Sequence, residues 1–308
     1  MSRWLGLDLG GTNIKVVVID RAAEASDEPG SRDPVVGQDQ YAADAASGPG
    51  AVTANLVAAG RDAIERWGPV DGAGLGVPGL YDDDQGAIVF FPNLPGPWPG
   101  YPVRAQLQEA LERPVAIVND ARAFTLAEAR VGAAAGFDTV AAYVLGTGIG
   151  GGLVIGGHLL TGRHGRAGEL GHVIVEPNGP ECGCGARGCL EAVATSGALA
   201  RRAGQPSTDA VFAAVASGDE RAVAALRHVT DALGRAIAGV ITVLWPERIV
   251  VGGGVAQAGE ALFSPLREAV DRHVTLVDHS WYEIVPATLG PFAGAVGAAL
   301  WAADSAEG

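Results

Sequence analysis

All three cysteines of this chain lie within one short segment, and a histidine precedes them. They are Cys182, Cys184 and Cys189, with His172 ten residues before the first. Three thiolates and one imidazole are the ligand set of a closed, four-coordinate structural zinc site, in which each sulfur lies about 2.3 Å from the ion. Glycines within the segment let the backbone turn tightly enough for the sulfurs to converge. The spacing therefore predicts a zinc site.

Other uses of these four residues fit the sequence less well. Three cysteines confined to one segment are not the pattern of a secreted disulfide framework. A nucleic-acid-binding zinc module would be surrounded by basic residues, whereas this chain has 35 acidic against 21 basic residues and a net charge of −14. Two carboxylates, Glu169 and Glu191, bracket the segment. A metal here would hold polar groups in fixed positions.

Two glycine-rich turns form a second candidate site. Asp8-Leu-Gly-Gly-Thr-Asn13 and Gly146-Thr-Gly-Ile-Gly-Gly-Gly152 each lie between two short apolar strands. Neither matches the glycine fingerprint that opens a dinucleotide-binding helix or a P-loop. Because a strand follows each turn, hairpin amides and a hydroxyl would hold a phosphate. Each turn by itself could be an ordinary hairpin, but their repetition in one chain favours phosphate binding.

The composition is that of a globular protein with room for one large domain or two ordinary ones. The chain has 308 residues, 48% of them hydrophobic and 18% charged. Its acidic balance argues against nucleic acid or an anionic membrane as a partner. The longest uncharged stretch, 139–157, is rich in glycine and suits a hairpin better than a membrane helix. Because no secretory signal precedes the first predicted strand, we expect a cytoplasmic protein with reduced thiols.

Predicted strands and helices alternate, which indicates α/β layers. Strand–turn–strand units are predicted over 4–19 and 139–155. A proline-rich stretch, 92–102, predicts a stiff irregular loop. Further strands are predicted within 21–50 and at 74–77, 115–118 and 249–251, and helices at 51–67, 103–112, 121–131, 191–203, 207–217, 219–245, about 257–272 and 290–301.

Asp120 follows the predicted strand 115–118 and begins the next predicted helix. An aspartate there could cap the helix N-terminus, which is a common role after a strand. It could equally act as a general base that takes a proton from a hydroxyl group. The residues by themselves support both roles.

Together these motifs resemble the ROK sugar kinases, glucokinase-type members of the actin/hexokinase-like ATPase superfamily. The resemblance covers nearly the whole chain, and its most specific part is Cys182-Gly-Cys-Gly-Ala-Arg-Gly-Cys-Leu-Glu191. It implies an α/β, two-domain actin-like ATPase (duplicated ribonuclease H-like) fold, with an interdomain cleft that closes on sugar and ATP and with a structural zinc site. A small domain would comprise 1–118 and about 291–308, and a large domain 119–290 would carry the zinc motif.

The resemblance also implies residue roles. Asp120 would be the general base, and His172 would place one ring nitrogen on zinc and the other on a sugar hydroxyl. Mg²⁺ is implied because the phosphate charge needs a bridging cation. Lys15 could approach the phosphates or point to solvent. The sugar contacts would be Gly79, Asn93, Asn119, Glu169, His172 and Glu191, although Gly79 and Asn93 could be simple turn residues. The nucleotide contacts would be Asp8, Gly10, Gly11, Thr12, Asn13, Thr147, Gly148, Gly252, Gly253 and Gly254.

Two departures from the family pattern bear on the sugar. Arg122 stands where members commonly have asparagine, and one extra residue lies between Gly96 and Trp98. Arg122 could alter the sugar pocket or only a helix surface. We expect glucose to be converted to glucose 6-phosphate, with N-acetylmannosamine, N-acetylglucosamine, mannose, fructose, allose or a cyclitol as alternatives.

Two further functions remain to be weighed. A sugar-sensing repressor of this family would carry a helix-turn-helix domain before the first phosphate motif, and we expect none because that motif begins at Asp8. A polyphosphate-dependent kinase would need a basic donor channel that the sequence does not suggest. We expect sugar and ATP as ligands, no nucleic acid or membrane partner, and a homodimer or homotetramer.

Overall fold

The structure is a computed structural model that describes residues 2–24, 34–91, 94–276 and 278–307. The chain forms two compact units. Unit 1 consists of Met1–Ala135, Thr161–Ala167 and Thr288–Gly308, and unit 2 of Gly136–Leu160 and Gly168–Ala287. The chain therefore passes between the units at 135/136, 160/161, 167/168 and 287/288.

Strands and helices alternate along the described residues, as the periodicity predicts. The strands are β1 (Arg3–Leu9), β2 (Asn13–Asp20), β3 (Val35–Ala42), β4 (Gly72–Val77), β5 (Leu80–Asp82), β6 (Ala87–Phe90), β7 (Val115–Asn119), β8 (Val140–Leu145), β9 (Ile149–Ile155), β10 (His158–Leu159), β11 (Arg248–Gly252) and β12 (Glu283–Pro286). The helices are α1 (Arg21–Glu24), α2 (Pro49–Trp67), α3 (Val103–Leu111), α4 (Asp120–Arg130), α5 (Leu190–Ala194), α6 (Ser196–Ala203), α7 (Thr208–Ala216), α8 (Glu220–Leu244), α9 (Glu260–His273) and α10 (Ala293–Glu307).

Unit 1 is built on a five-stranded sheet with the order β3-β2-β1-β4-β7. The strands β1, β2 and β3 are antiparallel, whereas β1, β4 and β7 are parallel. The parallel strands end at one edge of the sheet, where Asp8 pairs with Gly76 and Val77 pairs with Asn119. The sheet thus brings the first glycine turn close to the end of β7.

Glycines in this sheet allow α10 to approach the strands at backbone distance. A Cβ atom on Gly6 would lie 1.9 Å from the carbonyl oxygen of Ala295, and one on Gly74 would lie 1.8 Å from that of Ala298. No side chain fits in that space. Helix α10, which is rich in small residues, therefore packs directly on the backbone of the sheet.

Unit 2 repeats the plan with a sheet in the order β10-β9-β8-β11-β12. Its hairpin β8–β9 is antiparallel, and β8 pairs in parallel with β11, as β1 does with β4 in unit 1. Helices α5, α6, α7 and α9 contact the long helix α8. The strand–turn–strand repeat in the sequence therefore corresponds to two similar sheets.

The differences from the predicted elements are local. The helix predicted over 191–203 is two helices, because Thr195 is extended and its hydroxyl accepts from the amide of Ala198 to cap α6. The short strands β5, β6, β10 and β12 were not predicted. Residues 94–102 form the irregular loop, anchored by buried Trp98 against Phe91. Among the described residues, no helix is long and apolar enough to cross a membrane.

Candidate functional site

The three cysteines and the histidine converge in unit 2 as the spacing predicts. Nδ1 of His172 lies 3.5 Å from Sγ of Cys182, and Sγ of Cys184 lies 3.6 Å from Sγ of Cys189. All four ligand atoms lie within 4.8 Å of one another. Sulfurs bound to one tetrahedral zinc at about 2.3 Å are about 3.8 Å apart. The cluster therefore fits a structural zinc site.

A glycine with a positive φ folds the segment that carries the cysteines. Gly188 has φ +73°, and a Cβ atom there would lie 1.5 Å from the carbonyl oxygen of Glu176. Its own carbonyl accepts hydrogen bonds from the amides of Val175 and Glu176 at 2.9 and 3.1 Å. A side chain at this position would separate the two arms of the loop, so the convergence depends on glycine.

The three thiols differ in proton affinity. Burial raises the pKa of Cys189 to about 12 and also raises the pKa of Cys182. A backbone hydrogen bond from Ala186 lowers the pKa of Cys184. Because a metal binds the thiolate form, zinc binding must displace protons from the two buried thiols.

Glu191 joins this cluster to the second glycine turn. It lies in the first turn of α5, two residues after Cys189, and its Oε2 accepts a hydrogen bond of 3.0 Å from the amide of Ile149. Its other oxygen lies 3.9 Å from Sγ of Cys182. A Cβ atom on Gly148 would lie 2.8 Å from Oε2 of Glu191. Within unit 2, Glu191, a candidate sugar-binding carboxylate, therefore lies between the cysteine cluster and the candidate phosphate-binding turn.

The glycines after β11 lie against the same turn. Gly253 has φ +90°, and a Cβ atom there would lie 2.4 Å from the carbonyl oxygen of Leu145, the last residue of β8. Because β8 and β11 are parallel neighbours, both end at one edge of the sheet. This edge groups Thr147 and Gly148 with Gly253 and Gly254.

Glu169 precedes a short 3-10 turn, Leu170–His172, that ends at His172, and the amide of His172 donates to the carbonyl of Glu169 at 3.0 Å. Gly171 allows this turn to approach the sheet, since its Cβ atom would lie 1.9 Å from the carbonyl oxygen of Ile149. The turn therefore lies beside the strand that follows the second glycine turn.

In unit 1, Asp8 lies in a confined position at the sheet edge. Its carboxylate is 3.8 Å from Nζ of Lys15, its antiparallel neighbour. A Cβ atom on Gly294, at the start of α10, would lie 2.7 Å from Oδ2 of Asp8. Burial raises the pKa of Asp8, and the charge of Lys15 opposes that shift. The ammonium group of Lys15 thus lies on the Asp8 side rather than free in solvent.

The first glycine turn is tight and open to ligands. The amide of Gly10 donates to the carbonyl of Asn13 at 2.9 Å, which closes the turn. Gly11 and Thr12 are exposed, and a Cβ atom on Gly11 would meet nothing within 4 Å. The exposed residues Gly11 and Thr12 can therefore present backbone amides and a hydroxyl to an anion.

Asn119, and not Asp120, is the N-cap of α4. The side-chain carbonyl of Asn119 accepts from the amides of Ala121 and Arg122 at 3.1 and 3.2 Å, and its amide group donates to the carbonyl of Gly79 at 3.2 Å. Since an asparagine amide has two hydrogens, one is left for a ligand. Asp120 is the first residue of α4 and accepts from the amide of Ala121 at 2.8 Å.

The remaining predicted positions differ in what the structure says of them. Gly79 has φ +93°, as a turn glycine would. Asn93 lies outside the described residues. Arg122 is only 1% exposed and its Nε donates to the carbonyl of Ala167, so the alternative that it lies on a helix surface is wrong. Sequence reasoning missed Glu128, fully buried in the same helix, although a carboxylate among alanines and leucines is a signal for a buried polar role.

The chain is similar to known proteins along almost its whole length. It matches the ROK family over residues 4–305. It is 44% identical over 245 residues to the glucokinase of Thermotoga maritima, covering 73% of this chain and 77% of that protein. The crystal structure of a ROK hexokinase from Thermus thermophilus matches with a TM-score of 0.88 and 36% identity, over 99% of both chains. A ROK family glucokinase from Streptomyces griseus, in complex with glucose and AMPPNP, matches with a TM-score of 0.79 and 31% identity, over 98% of this chain and 100% of that one. These similarities confirm the predicted fold class.

Proposed function

Because this chain belongs to the ROK family and is an ATP-dependent sugar kinase, we propose that it transfers the terminal phosphoryl group of ATP to the 6-hydroxyl of glucose. The observation that carries the proposal is the placement of Glu191 between the Cys3His cluster and the second glycine turn. Two relatives are named glucokinase, and one of them is solved with glucose and AMPPNP. Glucose 6-phosphate is the product that follows.

We assign the sugar hydroxyls to side chains that are held in place through one polar atom and can offer another polar atom to the sugar. Nδ1 of His172 faces the cysteines, which leaves Nε2 for a hydroxyl, and zinc on Nδ1 would keep the ring neutral and oriented. Glu191 has one oxygen engaged with Ile149 and can accept a hydroxyl at the other. Glu169, Gly79, Asn93 and the remaining amide hydrogen of Asn119 complete the proposed set.

Asp120 is proposed as the general base. A sugar hydroxyl is a weak nucleophile, and a carboxylate that accepts its proton during transfer typically contributes about 10²- to 10⁴-fold to the rate. Asn119 caps α4, so Asp120 is not needed for capping. Since α4 is otherwise buried from Ala121 to Ala129, the position of this carboxylate is fixed by the helix.

The phosphates are assigned to the two glycine turns, residues 10–13 of unit 1 and Thr147 and Gly148 of unit 2. Gly253 and Gly254 are assigned to the adenosine. Mg²⁺, when bound with ATP, would neutralise phosphate charge, and we assign the carboxylate of Asp8 to hold it. Lys15 lies beside Asp8 and would add a second positive charge near the phosphates.

The structural zinc carries no chemistry in this proposal. With four protein ligands it has no open position for a substrate or water. Its role would be to fix His172 and the start of α5, so that the two candidate sugar residues His172 and Glu191 keep their spacing.

We also expect a homodimer or homotetramer, which sedimentation velocity would measure.

A coupled ADP-release assay over a panel of sugars tests the function. Glucose should give the highest kcat/KM among glucose, mannose, fructose, allose, N-acetylglucosamine, N-acetylmannosamine and a cyclitol. Asp120→Asn should lower kcat by about 10²- to 10⁴-fold with little change in the Kd of glucose measured by calorimetry. Asp209→Asn, an exposed aspartate in the first turn of α7, is the matched control.

Three results would each contradict a part of the proposal. Absence of turnover with every sugar would refute the activity itself. Retained turnover in Asp120→Asn would show that another group is the base. A different preferred sugar would replace glucose but leave the kinase assignment intact.

A further inference from the structure

Helix α4 carries two buried charged side chains that the proposed chemistry does not use. Arg122 is 1% exposed and Glu128 is 0% exposed. An ionised group in a protein interior is costly unless several hydrogen bonds compensate it. The partners of both side chains lie beside the places where the chain passes between the two units.

Glu128 binds backbone at two of these passages. One oxygen accepts from the amide of Ala133 at 2.8 Å, two residues before the passage at 135/136. The carboxylate also accepts from the amide of Thr288 at 3.1 Å and from that of Leu289 at 2.9 Å, directly after the passage at 287/288. The hydroxyl of Thr288 adds a further contact at 3.3 Å.

Gly132 shows how closely the chain wraps this carboxylate. A Cβ atom on Gly132 would lie 2.3 Å from Oε2 of Glu128. The segment after α4 therefore folds back over the carboxylate that binds it. Because the donors are backbone amides from two distant parts of the sequence, their convergence on one carboxylate holds both passages against α4.

Arg122 binds the segment that joins the other two passages. Its Nε donates to the carbonyl of Ala167, the last residue before the passage at 167/168. The amide of Ala167 donates to the carbonyl of Thr161, the first residue after the passage at 160/161, at 2.8 Å. Only Gly168 separates Ala167 from Glu169 along the chain.

We propose that Arg122 and Glu128 are positioning residues. They hold the segments at which the chain crosses between the two units against α4, the helix that carries Asp120. Resting on the proposed function, the inference is that Arg122 controls sugar binding through the segment that leads into Glu169. Glu128 holds the segments 133–136 and 287–289 to the helix that also carries Asp120, so its loss should affect phosphoryl transfer more than sugar binding. Neither side chain needs to contact substrate.

The proposed role of Arg122 is tested with three variants. Arg122→Met removes the donor at similar length, and Arg122→Lys restores a cation that can reach a carbonyl. Arg61→Met is the control, because Arg61 also donates to an alanine carbonyl, that of Ala110, but is exposed on α2. We expect Arg122→Met to raise KM for glucose roughly 10- to 100-fold, since small displacements of positioning groups have effects of this size. KM for ATP should change less than threefold, and Arg122→Lys should recover most of the sugar affinity.

The proposed role of Glu128 is tested with Glu128→Gln, which places an amide donor against backbone donors. The control is Glu109→Gln, at an exposed position in α3. We expect kcat to fall roughly 10-fold or more, with the KM of glucose within threefold of the parent value. Amide hydrogen exchange should be faster at 133–136 and 287–290 in Glu128→Gln, and faster at 161–170 in Arg122→Met.

The exchange measurement separates this inference from the function on which it rests. Faster exchange confined to the named segments supports the fastening role even if no sugar is phosphorylated, in which case only the proposed function fails. Unchanged exchange in both variants overturns the inference. A uniform fall in thermal stability, with exchange raised throughout unit 1 and with no recovery in Arg122→Lys, shows an ordinary core role and also overturns it.

Discussion

Gly148→Ala is the sharpest test of the link between the second glycine turn and Glu191. The φ of Gly148 is not in the left-handed region, so alanine can adopt the same backbone conformation without strain. The added methyl group would lie 2.8 Å from Oε2 of Glu191, whereas ordinary contacts begin at 3.4 Å. The carboxylate must therefore retreat by about 0.6 Å.

The expected loss of glucose affinity in Gly148→Ala follows from the hydrogen bond that this movement of the carboxylate breaks. Oε2 of Glu191 accepts from the amide of Ile149 at 3.0 Å. A retreat of that size takes the separation to about 3.6 Å, beyond hydrogen-bond range. A hydrogen bond to a charged group contributes about 1.5–3 kcal/mol. Because Glu191 is half-buried, we take the lower end as the free energy needed to return the displaced carboxylate to the position in which it would bind the sugar. That free energy corresponds to roughly tenfold weaker sugar binding.

The assay is the Kd of glucose by calorimetry together with KM for glucose and for ATP. The control is Gly239→Ala, at a position in α8 where a Cβ atom meets nothing within 4 Å. In a Glu191→Ala background, Gly148→Ala should add no further loss, because the displaced group is gone. A glucose Kd within twofold of the parent value, or a full additional loss in that background, would refute the reasoning.

Three further predictions concern the metal and the stability of the units. Cys184→Ser should lower the zinc content, measured by mass spectrometry, from one ion per chain, raise KM for glucose and lower Tm; a chelated protein with unchanged KM and Tm would contradict the role given to zinc. Gly297→Ala should destabilise unit 1 by about 3 kcal/mol or more in denaturant titration, because the new Cβ would lie 1.7 Å from the carbonyl oxygen of Ala123. Burial opposes ionisation of Asp231, but hydrogen bonds and charges from His273 and Arg235 lower its pKa from 3.8 overall. Asp231→Asn should therefore lower Tm at pH 7, and the difference should shrink as the pH falls below 3.8 and the carboxylate of the folded parent protein gains its proton; a difference that does not change with pH would argue against this ion cluster.

Much of the fold could be predicted because its elements are encoded locally. The spacing of apolar residues over 51–67 gave α2 within two residues of its observed start, and the second glycine repeat gave the hairpin β8–β9. The short strands β10 and β12 could not be predicted in this way. With two and four residues, they are too short to show a period, and they exist because a sheet edge was available to pair with them.

The candidate site also has a part that the sequence predicts and a part that only the structure shows. The cysteine cluster is a short-range feature, so residue types and spacing were enough to predict that the ligand atoms meet. For Asp120 the sequence left a cap and a base as equal alternatives. The structure gives the cap to Asn119, because the Asn119 side chain reaches two amides of α4.

The sequence by itself determined which residues could bind a metal or a phosphate, since glycine turns and thiolate spacing act over a few residues. Only the tertiary structure shows which groups Arg122 and Glu128 bind. Their partners, Ala167 and Thr288, lie 45 and 160 residues away along the chain. No local pattern encodes such contacts, because they arise only when the sheets and helices have brought distant segments together. Arginine at 122, which the sequence shows only as a departure from the family pattern, is in the structure a buried side chain that binds the carbonyl of Ala167.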